Sequence, residues 1–148
     1  MIVAIMDKLI ATYFSDLKKH RLRNTKPRKA VFNALHASDH IPLTMKELIN
    51  RTADQADRAS IYRAVEVLES AGIIKRIHIG WKYKLELSDQ FHGHHHHITC
   101  VICGNVHATH NDQKLEQELH KLAEQCGYQI VDHNLDIKGV CSRCKLTR

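Results

Sequence analysis

Two Cys-x-x-Cys pairs, Cys100/Cys103 and Cys141/Cys144, lie in the last third of the chain, about 37 residues apart. Each such turn bends the backbone so that both sulfurs face one cation. Two of them together make the ligand set of a closed, tetrahedral zinc site. Gly104 follows the first pair and allows the tight turn this needs. Four sulfurs leave no open coordination position, so the Zn²⁺ expected here is structural and not catalytic. Redox-active or unliganded thiols are the alternative. The fifth cysteine, Cys126, stands alone on the apolar side of a helical stretch and is expected to be a small buried hydrophobe.

Five histidines, His92 and His94 to His97, crowd just ahead of the first pair. On an extended segment His95 and His97 point to one side, and His94 and His96 to the other. The alternation offers two ligand pairs for two different metal sites. Their partners must come from elsewhere, and Glu86, Glu116, His40, His107, His110 and His133 are in play. A solvated histidine stretch is the plainer alternative. A third signal is Ser60-Ile61-Tyr62-Arg63. With Ile61, Val65 and Leu68 turned inward, Ser60, Tyr62 and Arg63 face outward. Tyr and Arg near the start of a helix can contact thymine methyls, guanine edges or phosphates. An ordinary solvated helix face has the same pattern.

The elements that carry these residues fall into two halves. In the first, Ile5, Leu9, Tyr13 and Leu17 recur at helical spacing. Pro27 suits the first turn of a second helix, with Val31, Phe32 and Leu35 buried. Thr44-Met45-Lys46-Glu47 has the capping-box form and opens a third. Asp57 caps a fourth, which Gly72 ends. Strands at 73–79 and 82–87, joined at Gly80-Trp81, complete a hairpin. The stretch 88–93 reads as a linker. Beyond it, strands are expected at 98–100 and 105–109. An amphipathic helix carrying Leu115, Leu119 and Leu122 ends at Gly127, and a final strand is bracketed by Tyr128, Ile130, Asp132 and Ile137. This second unit has too little core of its own, so zinc and a partner subunit must stabilise it.

The chain has 148 residues, 43% hydrophobic and 26% charged, with a net charge of +6. Four thiolates and one Zn²⁺ bring the charge to about +4. That balance tolerates a polyanionic partner, nucleic acid first. No stretch approaches the ~18 apolar residues of a membrane helix. The cytoplasm is the expected compartment, where paired cysteines serve as metal ligands more often than as disulfides.

Taken in order, these residues resemble the ferric uptake regulator superfamily of bacterial metal-responsive regulators. The landmarks are Leu22-Arg23-x-Thr25-x-x-Arg28, Ser60-x-Tyr62-Arg63-x-x-x-x-Leu68, Ala71-Gly72-Ile73-Ile74, His94-His95-His96-His97-x-x-Cys100-x-x-Cys103-Gly104 and Gly139-x-Cys141-x-x-Cys144. The resemblance implies an α+β protein with an N-terminal winged helix-turn-helix domain followed by a small α/β dimerisation domain. The expected boundaries are 1–87 for the DNA-binding domain, 88–93 for the hinge and 94–148 for the zinc-containing dimerisation domain. It further implies a homodimer that binds AT-rich palindromic operators in double-stranded DNA when loaded with metal. By similarity Arg28, Ser60, Tyr62 and Arg63 contact DNA. A regulatory Fe²⁺ or Zn²⁺ site falls on His40, Glu86, His95 and His97, and an additional metal site on His94, His96, Glu116 and His133.

A tendency to nitrogen ligands suits Zn²⁺ or Fe²⁺ better than Mn²⁺. Ligand histidines must be neutral to bind, so a metal response should weaken below about pH 6. Neither His-Glu-x-x-His nor a deaminase-type His-x-Glu with Pro-Cys-x-x-Cys is present, so no enzyme is expected. A peroxide-sensing regulator of the same family is one alternative, and a zinc buffer or storage protein that binds no DNA is another.

Overall fold

The computed structural model describes residues 2–79, 81–109 and 112–146, with side chains from Lys8 onward. The Gly80 turn and His110, both candidates on sequence grounds, lie outside these residues. The chain divides into two compact units, Met1–Gly93 and His94–Arg148.

The first unit opens with α1 (Ile2–Lys19), whose Tyr13 and Leu17 are buried. α2 (Lys26–His36) carries Pro27 in its first turn, where the missing N–H costs nothing. Val31, Phe32 and Leu35 form its buried face. α3 (Met45–Thr52) begins with a complete capping box. The Glu47 amide donates to Thr44 Oγ1 at 3.2 Å, and the Thr44 amide donates to Glu47 Oε2 at 2.7 Å. The Thr44 hydroxyl, and then the Thr44 amide, donate to the Glu47 carboxylate and hold it below its ordinary range. α4 (Arg58–Ser70) is capped by Asp57, which accepts from the Ser60 amide at 3.0 Å. It stops at Gly72, whose φ of +70° suits a residue without a Cβ.

β1 (Ile74–Ile79) and β2 (Lys82–Leu87) pair antiparallel, with Ile74 opposite Leu87 and Lys75 opposite Glu86. A bridge between Leu43 and Leu85 ties the helical layer to this hairpin. Helices packed on one side of a two-stranded wing make a winged helix-turn-helix. One core joins them, in which Leu48, Ile61, Leu68, Ile73 and Leu87 are wholly buried. Burying each such side chain contributes about 1.5–3 kcal/mol.

The stretch 88–93, read in sequence as a linker, holds the short helix α5 (Asp89–His92). Its Phe91 is buried and meets Phe32 edge-on at 5.3 Å between centroids, while Phe32 stacks on Tyr13 at 4.1 Å. A single aromatic side chain with a ready pocket is enough to order this segment against the core.

The second unit is built from β3 (His97–Cys100), β4 (Val106–Ala108), α6 (Gln113–Gln125), β5 (Asp136–Gly139) and α7 (Ser142–Lys145). Its sheet order is β4-β3-β5, with β3 antiparallel to β4 and parallel to β5. Two expectations need correction. The final strand starts only at Asp136, because β3 is four residues long and its ladder with β5 begins at His97 opposite Asp136. Cys126 is exposed, not buried. It follows a helix with no buried residue among those described, and Leu122, Tyr128 and Val131 are exposed beside it. A unit this small cannot cover its helix with its own sheet.

Candidate metal centres and nucleic-acid interface

The parallel pairing of β3 and β5 builds the cysteine site. Cys100 ends β3 opposite Gly139 of β5, and the Val101 amide donates to the Gly139 carbonyl at 2.9 Å. Both Cys-x-x-Cys turns therefore leave the sheet at the same edge. All four Sγ atoms lie within 4.8 Å of one another, and Cys103 Sγ is 3.8 Å from Cys141 Sγ. That is nearly double the ~2.05 Å of a disulfide. It equals the edge of a tetrahedron with ~2.3 Å zinc–sulfur bonds, about 3.8 Å. The backbone also favours thiolate. Amides of Cys103, Cys141 and Ile102 turned toward Cys100 lower its pKa to about 6. The Cys144 amide lowers that of Cys141 in the same way. Cys144 is pushed up to about 12, first by its hydrogen bond with Cys141 and then by burial and the other thiols. Negative charge is crowded where it needs a cation. The donors present fit Zn²⁺, and Cys100, Cys103, Cys141 and Cys144 would hold it.

A second cluster lies upstream of the thiols, where His94 and His133 each stand six residues before the paired Cys100 and Gly139. His94 Nε2 is 3.3 Å from His133 Nε2, and His96 Nε2 is 2.7 Å from Glu116 Oε1. Glu116 Oε2 stands 3.1 Å from His133 Nε2. Here three imidazoles and one carboxylate from the segment just before β3, from α6 and from the loop before β5 converge on one point, with His96 fully enclosed. Burial raises the Glu116 pKa. The His96 hydrogen bond and the neighbouring imidazoles outweigh it, so the carboxyl sits below its ordinary range. The 3.3 Å separation matches the edge of a tetrahedron with ~2.05 Å metal–nitrogen bonds.

The alternation read from the sequence is present. The rings of His94 and His96 meet at 4.7 Å, and those of His95 and His97 at 4.8 Å. His95 and His97 are buried. The other two residues of the expected regulatory set belong to the first unit. Glu86 lies in β2, buried, with Lys75 Nζ at 3.0 Å from Oε1. Burial lowers the Lys75 pKa, but Asp89 and Glu86 together raise it above the ordinary lysine value. His40 stands in the turn after α2, its ring 4.7 Å from that of His92. His107 is exposed and in none of these clusters.

On α4, Tyr62 and Arg63 face outward as expected, and Tyr62 is 36% exposed. Arg58 lies over the Tyr62 ring at 5.7 Å. Arg63 Nη2 donates to Ser60 Oγ at 3.3 Å, and Ser60 Oγ donates to Asp57 Oδ2 at 2.6 Å. The outward groups are thus pre-positioned at the helix N-terminus, the end where phosphate is favoured. Arg28 Nη1 donates to the Arg23 carbonyl at 2.6 Å and is half-buried.

The model of the ferric uptake regulator family matches residues 19–138. This chain belongs to that family. It is 36% identical over 137 residues to the ferric uptake regulation protein of Neisseria meningitidis, covering 88% of this chain and 92% of the relative. Its fold is similar to the Vibrio cholerae ferric uptake regulator at a TM-score of 0.70 and 29% identity, covering 84% of this chain and 96% of that one. An iron-containing structure of the Francisella tularensis regulator also matches with TM-score 0.70 and 25% identity, over 84% of this chain and 95% of that one. The α+β architecture expected from the sequence is therefore the family's own. As a member of that family, the chain is a metal-responsive transcriptional regulator.

One pair of histidines has no counterpart in the sequence pattern. Spacing does not single out His36, and it groups His92 with the run that follows. In the structure His36 Nδ1 and His92 Nε2 are 3.3 Å apart. Fifty-six positions separate them, so no local pattern could have paired them.

Proposed function

We propose that this member of the ferric uptake regulator family is a cytoplasmic, metal-dependent repressor that binds an AT-rich palindromic operator as a homodimer. Cys100, Cys103, Cys141 and Cys144 would hold structural Zn²⁺, which cross-links the two turns of a unit with little core. His94, His96, Glu116 and His133 would take an additional ion. Glu86, His95 and His97, with His40, would hold the regulatory Fe²⁺ or Zn²⁺. The observation that carries this reading is the convergence of His94, His96, Glu116 and His133 beside four clustered thiols. Two ligand sets of different softness in one small unit fit one permanent and one exchangeable ion. The exposed Val101, Leu122, Tyr128 and Val131 support a second copy as the partner.

Arg28, Ser60, Tyr62 and Arg63 would contact DNA, with α4 as the reading helix. Glu86 belongs to the winged-helix unit, and His95 and His97 to the other. Drawing them together restricts how the reading helices of a dimer can be aimed. A coupling of about 1–3 kcal/mol changes operator affinity 5- to 150-fold. The test is operator titration of zinc-retaining protein with and without added Fe²⁺ or Zn²⁺. Metal-enhanced binding that is lost in His95→Ala plus His97→Ala is the expected result. Equal affinity at all loadings would refute regulation, and metal uptake without a footprint would make the chain a zinc buffer.

A further inference from the structure

We propose that His36, His40 and His92 form a separate metal-binding site, built wholly within the winged-helix unit and taking a divalent cation of borderline softness. The three imidazoles come from three places in the chain. His36 is the last residue of α2, His40 sits four residues on in the following turn, and His92 ends α5. His36 Nδ1 faces His92 Nε2 at 3.3 Å, and the His40 ring lies 4.7 Å from that of His92. The first distance is the tetrahedral edge for ~2.05 Å metal–nitrogen bonds. It is also the His94–His133 separation in the cluster of the second unit.

The fold holds these rings in place from behind. Phe32 stacks near His36 at 6.4 Å and meets Phe91, the neighbour of His92, edge-on. The turn that presents His40 is strained. Asp39 and His40 both adopt positive φ, +46° and +64°, which costs about 1 kcal/mol or more per residue. All three rings are half-buried, so they are partly desolvated yet reachable. Asp39 Oδ1, 3.9 Å from His40 Nε2, is an exposed carboxylate that can orient His40 or share the fourth position with water. An all-imidazole set selects Zn²⁺, Co²⁺ or Fe²⁺ over Mg²⁺ and Ca²⁺. A plain His36–His92 hydrogen bond explains the 3.3 Å contact alone, but not the third ring or the strained turn that supplies it.

His40 is claimed both here and by the proposed regulatory set, and the experiment separates the two. Full-length protein with its structural zinc in place is titrated with Co²⁺, and bound equivalents are read from ligand-field absorption and elemental analysis. His36→Ala plus His92→Gln should lose one equivalent, or bind it at least about tenfold more weakly. His95→Ala plus His97→Ala should lose a different one, and the combined variant both. Far-UV circular dichroism checks that each variant folds. If the first variant does not fold, ring ¹⁵N resonances of His36 and His92 in the parent must shift on adding Zn²⁺. Unchanged stoichiometry in the folded variant, unshifted ring resonances, or a combined variant that loses no more than either parent variant would overturn the site. None of these readouts involves the operator, so a failure of metal-dependent repression would leave the result intact.

Discussion

His94 Nε2 and His133 Nε2 lie 3.3 Å apart across 39 residues of chain. The same offset of 39 joins His97 to Asp136 and Cys100 to Gly139 in the parallel β3–β5 pairing. One strand register therefore sets both ligand clusters of the second unit, thiols at one end and imidazoles at the other. A slip of one residue would separate both sets of ligands at once.

That shared origin predicts different consequences for the two ends. Cys103→Ser should leave less than one equivalent of zinc after purification and lower the melting temperature, since a structural ion contributes folding free energy. Elemental analysis beside a thermal melt checks it. Full zinc occupancy in the variant would count against the four-thiol site.

At the other end, Glu116→Gln removes the one carboxylate among three imidazoles. Metal affinity there should fall about 10- to 100-fold, with the cysteine-bound zinc retained. Competition against a chelator of known affinity measures the first quantity, and elemental analysis the second.

Tyr62→Ala plus Arg63→Ala should weaken operator binding by about 1–3 kcal/mol for each of the two side chains that reads a base. Both side chains point away from the core, so stability should change by about 0.5 kcal/mol or less. Gel shifts and denaturant melts on the same preparation separate the two effects. A large drop in stability would assign these residues to packing.

Tyr13 sets an alkaline limit. Burial raises its hydroxyl to about 12 against the opposing pull of Arg28, and the hydroxyl donates to Asn24 Oδ1 at 3.2 Å. An unfolded tyrosine ionises near pH 10, so above that pH only the unfolded chain sheds this proton. The contribution is fully present below about pH 10 and is lost as pH rises through about 12, at most about 2–3 kcal/mol. Tyr13→Phe should flatten the fall in stability over that interval in denaturant melts. An identical alkaline limb in the variant would show that another group controls it.

Local chemistry made much of this protein legible without coordinates. Thr44 and Glu47 cap a helix through bonds within one turn, Asp57 caps the next, and Gly72 ends it by its own freedom at φ. Helical spacing placed Ile61, Val65 and Leu68 inward, because a period of 3.6 is a property of the backbone. The two Cys-x-x-Cys turns and the alternating histidines declared their chemistry by residue type. What spacing could not supply was any pairing between distant segments. The register that joins His94 to His133, the approach of Glu116 on α6 to His96, and the Phe91–Phe32 contact that orders 88–93 depend on packing across the fold. So does the approach of His92 to His36. The exposure of Cys126 follows from a unit too small to cover its own helix, a matter of area and not of pattern. Sequence alone determined which ligands exist and which way they face along their own elements. Tertiary structure decided which of them share an ion, because that depends on which backbone groups find partners far along the chain.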